Sequence, residues 1–354
     1  LAKSRAHLER AVELNPYSWR YRRELARLYE QAGLLEDAEA AFSRAVEMNP
    51  RSGSYRWRLA NFYLRSGSLD RALVQVKAAV AADPKLLPAA AGLLLKSGAS
   101  SQQILELWPD DPAAWRELLL TASRLPASRA AISEIRQAAW QRSLAAPEPL
   151  PLADGWVTIE RLITEGRALE ARRKWGELAD RNAMGDAELE AERTWVWNGA
   201  FERPLTRLGL GWQVGSRGGG LEVSRVDGAG VDGSAALQIA FDGSQNLSFL
   251  GVRQHLVVKP DRVYRFSCRM RSEELSTDQG AFWEVVDPGE NRIVLATPRV
   301  VGSTPWTVYG GTFRLAEGSS RVLLRLSRSP SLRFEPRLQG TLWIDSVRLE
   351  EGDS

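Results

Sequence analysis

Few side chains in this sequence suit acid–base or nucleophilic chemistry. His7 and His255 are the only two histidines, and Cys268 is the only cysteine among 354 residues. A serine or cysteine nucleophile needs an adjacent base that accepts its proton, and the spacing of these residues indicates none. Two carboxylates would suffice for glycoside hydrolysis, but no pattern selects a pair among the 44 acidic residues. We therefore predict that the protein is not an enzyme, with a glycoside-active enzyme as the least favoured alternative.

A glycine-rich string has the spacing of a dinucleotide-binding loop, Gly228-Ala-Gly230-Val-Asp-Gly233. In such a loop a helix follows, and its N-terminus faces the phosphates. Here a strand-like alternation follows at Ala235–Phe241, so we interpret the string as a tight connection. The formal net charge is only +3, which does not indicate a nucleic-acid partner. We also predict no membrane span in this chain, because no apolar run reaches about 18 residues.

Two copies of one pattern, 34 residues apart, organise the N-terminal region. The first copy reads Arg22, Leu25, Ala26, Tyr29, Gly33, Ala38, Phe42, Ala45 and Pro50, and the second reads Arg56, Leu59, Ala60, Tyr63, Gly67, Ala72, Val76, Ala79 and Pro84. The small residues let two helices cross closely, and the glycine takes positive φ in the turn between them. The proline ends the second helix, because it cannot continue one.

This pattern resembles the tetratricopeptide (TPR) repeat over residues 1–86. Ser4, Leu8, Ala11 and Pro16 match the second half of a further copy whose first helix is missing. Terminal repeats normally need a cap, so we expect the chain to be the C-terminal part of a longer protein.

The resemblance implies a concave groove lined by the first helix of each repeat, which binds a protein partner. The residues placed there are Arg20, Arg23, Arg27, Trp57 and Asn61. A column of arginines beside tryptophan and asparagine suits an acidic peptide or a C-terminal carboxylate. The alternative is that these arginines pair with acidic groups of an upstream repeat.

Helical patterns continue beyond the two clear repeats. Asp111-Pro112 has the form of a cap followed by proline at the first helical position, which predicts a helix over Ala113–Arg124. We predict TPR and degenerate helical repeats over 1–146, a Pro-rich joint over 147–155, and a helical hairpin over 156–190 that closes the solenoid.

The sequence pattern changes at Trp195, where short alternating segments bounded by Gly, Asp, Ser and Pro replace the helical period. The predicted strands are Leu221–Val226, Ala235–Phe241, Leu247–Val258, Val263–Arg271, Ala281–Val286, Thr307–Leu315, Arg321–Ser327 and Thr341–Glu350. Eight strands at this spacing predict a β-sandwich of the jelly-roll type over 195–351. Cys268 alternates with arginines on its strand, so we predict that it is a small buried apolar side chain. The predicted fold class is therefore multidomain, an all-α TPR-like solenoid followed by an all-β jelly roll.

Motifs at both ends of the β region resemble the galactose-binding-like jelly roll of bacterial carbohydrate-binding modules. The region opens with Trp197-Asn-Gly-Ala-Phe-Glu202 and closes with Trp343-Ile-Asp345-Ser-Val-Arg-Leu349. The resemblance implies a polysaccharide ligand and a structural calcium ion held by Glu202 and Asp345, whose carboxylate oxygens suit Ca²⁺. The alternative is that these two acids pair with arginines or cap turns. No other cofactor is expected.

Sugar rings stack on aromatic side chains, while polar groups bind the sugar hydroxyls. Phe282 and Trp283 are neighbours on one strand and must face opposite sides, and we predict that Trp283 is available to a sugar. The predicted carbohydrate contacts are Trp283, Glu284, Trp306, Gln254, Arg269, Arg271 and Arg325. The alternative is that both tryptophans pack in the core or at its rim.

These features predict a non-catalytic scaffold of a bacterial cell envelope, periplasmic, outer-surface or extracellular. The combination resembles accessory proteins of exopolysaccharide synthesis or export, in which the repeats bind protein and the jelly roll binds glycan. The alternative is a purely structural assembly protein, part of a filament or surface complex, whose β domain binds protein.

Overall fold

The computed structural model describes residues 2–126, 130–185, 193–206, 208–215, 219–247, 249–276, 278–332 and 337–352. The chain divides into two compact units, Leu1–Glu148 and Pro149–Ser354. Among the helices of these described segments, none is long and apolar enough to cross a membrane.

The first unit is helical, and its first five helices carry the repeat pattern. They are α1 (Ala2–Leu14), α2 (Trp19–Gln31), α3 (Leu35–Met48), α4 (Gly53–Arg65) and α5 (Leu69–Ala82). Ala26 on α2 and Ala38 on α3 are fully buried where the two helices pack, and Gly33 joins them with a φ of 74°. A side chain at that φ would be strained, which explains the glycine.

The arginine that opens each copy of the pattern ties its helix to the preceding proline. Arg22 Nε donates to the carbonyl of Pro16 at 3.0 Å, and one repeat later Arg56 Nε donates to the carbonyl of Pro50 at 3.1 Å. The ring centroids of Phe42 and Phe62 lie 5.4 Å apart, so the second repeat packs on the first through aromatic contact.

The described residues of this unit form four further α-helices: α6 (Leu87–Lys96), α7 (Ser101–Leu107), α8 (Pro112–Arg124) and α9 (Ala130–Ala145). The predicted helix start at Asp111-Pro112 is confirmed, because the Asp111 carboxylate accepts a hydrogen bond from the Ala114 N–H at 2.8 Å. Trp140 and Leu118 are fully buried, so these helices share one core although the repeat signature has been lost.

The second unit begins with a helical hairpin, α10 (Leu152–Thr164) and α11 (Ala168–Arg181). The sequence pattern predicted that this hairpin closes the solenoid, whereas the structure places it in the compact unit of the β-sandwich. Trp175 of α11 is fully buried, and its ring meets Trp197 at the start of the sandwich. An amphipathic period shows that a helix has an apolar face but not which element covers that face.

Two antiparallel five-stranded sheets form the sandwich, which confirms the jelly roll. The strands are β1 (Gln213–Val214), β2 (Leu221–Val226), β3 (Ala236–Asp242), β4 (Phe249–Val257), β5 (Val263–Leu275), β6 (Phe282–Asp287), β7 (Arg292–Ala296), β8 (Gly302–Arg314), β9 (Arg321–Arg328) and β10 (Gln339–Glu351). The order is β1-β4-β9-β6-β7 in one sheet, called the front sheet, and β2-β3-β10-β5-β8 in the other, called the back sheet. The prediction missed two short strands, β1 and β7.

The inward faces of the two sheets enclose one apolar core. Its largest members include Trp212, Trp283 and Phe266, all fully buried. Cys268 belongs to the same core, as predicted, and burial raises the pKa of its thiol well above the ordinary value. A buried thiol that holds its proton is a packing residue and not a nucleophile.

Candidate binding surfaces

The helical unit contains a groove of about 610 Å³ between side chains of α2 and α4. Its lining consists of Arg23, Glu24, Arg27, Glu30, Phe42, Ser54, Trp57, Arg58, Asn61, Arg65 and Leu86. Four of the five predicted groove residues are therefore brought together. The fifth, Arg20, is exposed outside the lining, and its guanidinium lies 5.3 Å from the ring centroid of Trp19.

The groove is positively charged, with four arginines and two glutamates in its lining. Glu24 accepts a hydrogen bond of 2.5 Å from Arg23 and lies 3.7 Å from Arg27. Glu30 accepts two bonds from Arg65, at 2.6 and 3.0 Å. Each glutamate thus holds an arginine in place, and the lining keeps an excess of positive charge.

Trp57 and Asn61 form the part of the groove wall that α4 supplies. The Asn61 Nδ2 donates to the carbonyl of Trp57 at 2.7 Å, which fixes the amide and leaves its oxygen as an acceptor. Arg65, which the sequence prediction omitted, follows Asn61 by one helical turn. Residues at i, i+4 and i+8 share a helix face, so this spacing would have found it.

The prediction that Trp283 faces a sugar is wrong. Its side chain is 0% exposed and packs in the core, with ring centroids 5.8 Å from those of Trp212 and Phe266. Phe282 takes the opposite, partly exposed side of β6, and the guanidinium of Arg299 lies 5.3 Å from its ring centroid. The alternation on this strand was correct, but its direction was reversed.

The prediction for Gln254 is also wrong, because this residue is 0% exposed. It lies on β4 between the core residues Val252 and Leu256, so the strand alternation turns it inward. Its Nε2 donates to the carbonyl of Trp197 at 2.8 Å. Gln254 is therefore a core hydrogen-bonding residue that ties β4 to the segment that opens the sandwich.

Two of the other predicted contacts, Glu284 and Arg325, belong to a row of polar side chains that crosses the front sheet. Arg253 of β4, Arg325 of β9 and Glu284 of β6 are successive register partners. Arg325 Nε and Ser327 Oγ each donate to Glu284 Oε2 at 2.6 Å, and Arg253 Nε donates to Gln213 Oε1 at 2.9 Å. We call Gln213, Arg253, Arg325 and Glu284 the polar row. Its groups are held by one another, so they are pre-organised.

The remaining three predicted contacts, Trp306, Arg269 and Arg271, lie on the back sheet. The Arg271 guanidinium lies 4.1 Å from the ring centroid of Trp343 and 5.9 Å from that of Trp306. Trp343 and Arg271 are register partners on β10 and β5. The predicted contacts therefore belong to two different sheets and do not form one site.

Glu202 and Asp345, the predicted calcium ligands, lie close enough to influence each other. Asp345 is 2% exposed, and its pKa is raised by burial and, to a smaller extent, by the charge of Glu202. Its Oδ2 accepts a bond of 2.9 Å from the Val231 N–H, and its Oδ1 accepts from the Ser346 N–H. Glu202 Oε1 accepts from the Ala235 N–H at 2.8 Å.

This arrangement fits a calcium ion in part. The two carboxylates lie near each other, and the second oxygen of Glu202 makes no hydrogen bond within the described residues. Hard oxygen ligands are what Ca²⁺ requires, and backbone carbonyls could complete the shell. However, no group of three or more His, Cys, Asp or Glu side chains in the described part of the chain could hold a metal ion. Calcium binding by Glu202 and Asp345 stays a prediction.

Comparison with known proteins identifies the repeats directly. A family model for the tetratricopeptide repeat matches residues 1–52 and 35–86, which together span α1 to α5. The chain therefore contains TPR repeats where the sequence pattern predicted them. No protein of curated function matches the sequence.

Solved structures resemble the β-sandwich at low sequence identity. The CBM22-1 xylan-binding domain from Paenibacillus barcinonensis Xyn10C is 18% identical over 44% of this chain and 93% of that domain, with a TM-score of 0.32. TmCBM61, solved with β-1,4-galactotriose, is 17% identical over 45% of this chain and 99% of its own, with a TM-score of 0.32. The CBM22-1–GH10 modules of a Clostridium thermocellum xylanase are 14% identical, with a TM-score of 0.30. That match covers 43% of this chain and 28% of the xylanase structure. These similarities carry no argument about a ligand.

Proposed function

We propose that this protein is a non-catalytic scaffold whose TPR groove binds an acidic segment of a protein partner and whose sandwich binds polysaccharide. The observation that carries the proposal is the groove of about 610 Å³, lined by four arginines, a tryptophan and an asparagine. A peptide of Asp and Glu residues supplies carboxylates that accept charge-assisted hydrogen bonds from guanidinium groups. The Asn61 amide and the Trp57 ring supply a hydrogen bond and an apolar wall for the peptide backbone and its side chains.

Charge reversal in the groove tests the protein-binding half of the proposal. The double variant Arg23→Glu, Arg27→Glu should lose binding of a short labelled Asp/Glu-rich peptide in fluorescence anisotropy, and added salt should weaken binding to the wild type. The matched control is Arg10→Glu, Arg44→Glu, which changes the same charge at two exposed arginines outside the groove lining. Equal binding by both double variants would place the peptide site elsewhere.

The polar row supports the polysaccharide half. The exposed Arg253 and the partly exposed Arg325 present donors in fixed positions across the front sheet, and the buried Glu284 holds Arg325 in place. Phe282 adds a partly exposed ring beside them. Sugar binding commonly combines an apolar ring face with hydrogen bonds to hydroxyls, which makes this row the better candidate now that Trp283 is in the core. Such a shallow site should bind with an affinity on the order of micromolar to millimolar.

Affinity electrophoresis against a set of neutral polysaccharides tests the row. Phe282→Ala and Arg253→Gln should each restore free migration if the wild type is retarded, while thermal melting shows that the fold is intact. Arg292→Gln is the matched control, because this exposed arginine on the same sheet lies outside the polar row and pairs with Glu290 two residues away. If no glycan of any kind retards the wild type, the alternative of a purely structural assembly protein, whose β domain binds protein, is the better account.

We further propose that the scaffold acts at a bacterial cell envelope in the synthesis or export of exopolysaccharide. A protein-binding groove and a glycan-binding sandwich in one chain would hold an enzyme or export complex next to its polymer. Cell fractionation tests the periplasmic, outer-surface or extracellular location, and deletion of the gene tests the polysaccharide role. Recovery only in the cytosol, or unchanged surface polysaccharide after deletion, would count against this context.

A further inference from the structure

We propose that the outer face of the back sheet is a second ligand surface, separate from the polar row, and that it binds a polysaccharide whose sugars carry carboxylates. The proposal rests on the proposed glycan binding by the sandwich. It adds a second site and the acidic character of the ligand.

Four arginines meet on this face. Strand β5 presents Arg265, Arg269 and Arg271 at outward positions, with Ser267 at the outward position between the first two, whereas Phe266, Cys268 and Met270 belong to the core. Arg348 of β10 is the register partner of Ser267, so it lies between Arg265 and Arg269. Outward positions on one strand follow each other at roughly 7 Å, which places the guanidinium groups in one line along the sheet. We call Arg265, Arg269, Arg271 and Arg348 the arginine strip.

The acidic residues beside the arginine strip neutralise only part of its positive charge. Glu273 Oε1 lies 3.4 Å from Arg271, and Glu350 Oε1 lies 3.7 Å from Arg348. Asp345, the register partner of Arg269, is buried, and its oxygens accept hydrogen bonds from backbone N–H groups. Arg265 and Arg269 are both exposed, and neither makes an ion pair within the part of the chain that the structure describes.

Neighbouring like charges on a sheet repel, so a strip of this kind gains from an anionic partner. The groove beside it has a volume of about 650 Å³, which is in the range of ligand sites. Its lining consists of Ala200, Val231, Asp232, Ser234, Arg265, Ser267, Cys268, Arg269, Val308, Asp345, Ser346, Arg348 and Glu350. Formal charges in this lining balance, but Asp345 is 2% exposed, and Glu350, the register partner of Arg265, forms its ion pair with Arg348. The exposed guanidinium groups of Arg265 and Arg269 are therefore what a ligand meets, with Asp232 at the rim.

Aromatic rings at one end of the strip favour a sugar over an acidic peptide. The Arg271 guanidinium is stacked 4.1 Å from the Trp343 ring centroid, and Trp306 lies on its other neighbouring strand, partly exposed. The Arg271 guanidinium covers the buried Trp343 ring, and together with the partly exposed Trp306 ring it offers planar surfaces to the apolar face of a pyranose. Guanidinium groups also pair with carboxylates in two-pronged geometry. A polysaccharide of uronic acids presents both features along one chain.

Binding to polygalacturonate tests the proposal, with fully methyl-esterified pectin as the probe that keeps the same backbone without its charge. The full chain should bind polygalacturonate at least about tenfold more tightly than the ester, and salt should remove the difference. The double variant Arg265→Gln, Arg269→Gln should lose that preference. The matched control is the double variant Arg292→Gln, Arg321→Gln, which removes two positive charges from the front sheet and should keep the preference. Thermal melting verifies that each variant is folded.

Three results would overturn the proposal. The first is an unchanged preference for polygalacturonate in Arg265→Gln, Arg269→Gln. The second is loss of the preference in the groove variant Arg23→Glu, Arg27→Glu, because the TPR groove would then be the polyanion site. The third is equal binding of polyglutamate at the strip, which would make the surface an acidic-protein site. Loss of neutral-glycan binding in Phe282→Ala concerns the polar row alone, so failure of the two proposals is distinguishable.

Discussion

The ring of Trp175 on α11 meets the ring of Trp197 edge-on, with centroids 5.9 Å apart and planes at 78°. Trp156 of α10 meets Trp175 in the same manner at 6.2 Å, and Arg172 lies 4.0 Å from the ring centroid of Trp195. Edge-to-face contacts of buried aromatic rings stabilise an interface beyond the area they bury. The helical hairpin therefore packs on the sandwich within one compact unit.

A glycine opposite this cluster gives the first prediction. Gly209 has a φ of 66°, and a Cβ there would lie 2.2 Å from Cζ3 of Trp175. Gly209→Ala should therefore overpack the interface and lower the free energy of unfolding of this unit by about 1–3 kcal/mol beyond the backbone strain. Gly228→Ala is the control, because Gly228 has a φ of 73° with no atom within 4 Å of its added Cβ. Urea denaturation compares the two, and equal losses would contradict this account of the interface.

A fragment that begins at Pro149 should be as stable as this unit is in the full chain, because α10 and α11 contribute to its core. A fragment that begins at Thr194 lacks the hairpin and exposes Trp197, so we expect it to melt at a lower temperature or to aggregate. Differential scanning calorimetry of the two fragments checks this. Equal melting temperatures would restore the earlier expectation that the hairpin belongs with the solenoid.

Sequence reasoning found the repeats and the jelly roll because their signals are local. The spacing of Ala26, Gly33 and Ala38 is dictated by contacts within one helix pair, and alternation is dictated by the strand itself. Which residue of an alternating pair faces the core is not determined by local sequence. Phe282 and Trp283 are both aromatic, and only the register of β6 against the core side chains of β9 decides which ring is buried.

The wrong site predictions differ in how far the sequence alone could have corrected them. Gln254 lies between Val252 and Leu256, so its inward direction could have been inferred from strand parity alone. On β10, strand alternation puts Trp343 on the same face as Asp345 and on the opposite face from Leu342. Its contact with Arg271, however, depends on the pairing of β10 with β5. The predicted sugar contacts lie on two different sheets. This could be recognised only from the order of the strands in each sheet, which no local sequence pattern contains.

The buried Lys174 on α11 predicts a pH dependence. Burial lowers the pKa of its ammonium group from 10.5 to about 8, although Glu177 and Glu170 act in the opposite direction. Between pH 8 and 10.5 the unfolded chain holds a proton that the folded chain has lost, so the free energy of unfolding rises with pH in this window. The full rise corresponds to about 3 kcal/mol.

Urea denaturation at pH 7 to 9.5 should show this rise in the wild type, and Lys174→Met should abolish it. Exposed Lys96 is the control, since Lys96→Met should leave the rise intact. The window ends near pH 10, because burial also raises the pKa of Tyr264. Because Tyr264 keeps its proton to higher pH in the folded state, its titration lowers the free energy of unfolding as pH rises. A wild type whose stability is flat from pH 7 to 9.5 would show that Lys174 stays solvated.

The carboxylates of Glu202 and Asp345 predict a response to calcium. The raised pKa of Asp345 means that its stabilising contribution is present at low pH and is lost as pH rises through that pKa. Once Asp345 loses its proton, its buried charge lies near the exposed Glu202 carboxylate, and a bound Ca²⁺ would offset their repulsion. Calcium chloride should therefore raise the melting temperature at pH 7 relative to EDTA, and much less at pH 4. Glu202→Gln should remove the calcium effect, and a wild type that melts identically in calcium and EDTA would contradict the calcium site.

The exchange of roles between Phe282 and Trp283 gives the last prediction. Trp283 is enclosed by Trp212 and Phe266, so Trp283→Ala leaves a large cavity and should lower the free energy of unfolding by about 3–5 kcal/mol. Phe282 is partly exposed, so Phe282→Ala should cost much less stability while it removes the ring beside the polar row. Loss of glycan binding without loss of stability is therefore expected for Phe282→Ala alone. A stable, folded Trp283→Ala protein that has lost glycan binding would show that the ring of Trp283 reaches a ligand, and would reverse the assignment made from its burial.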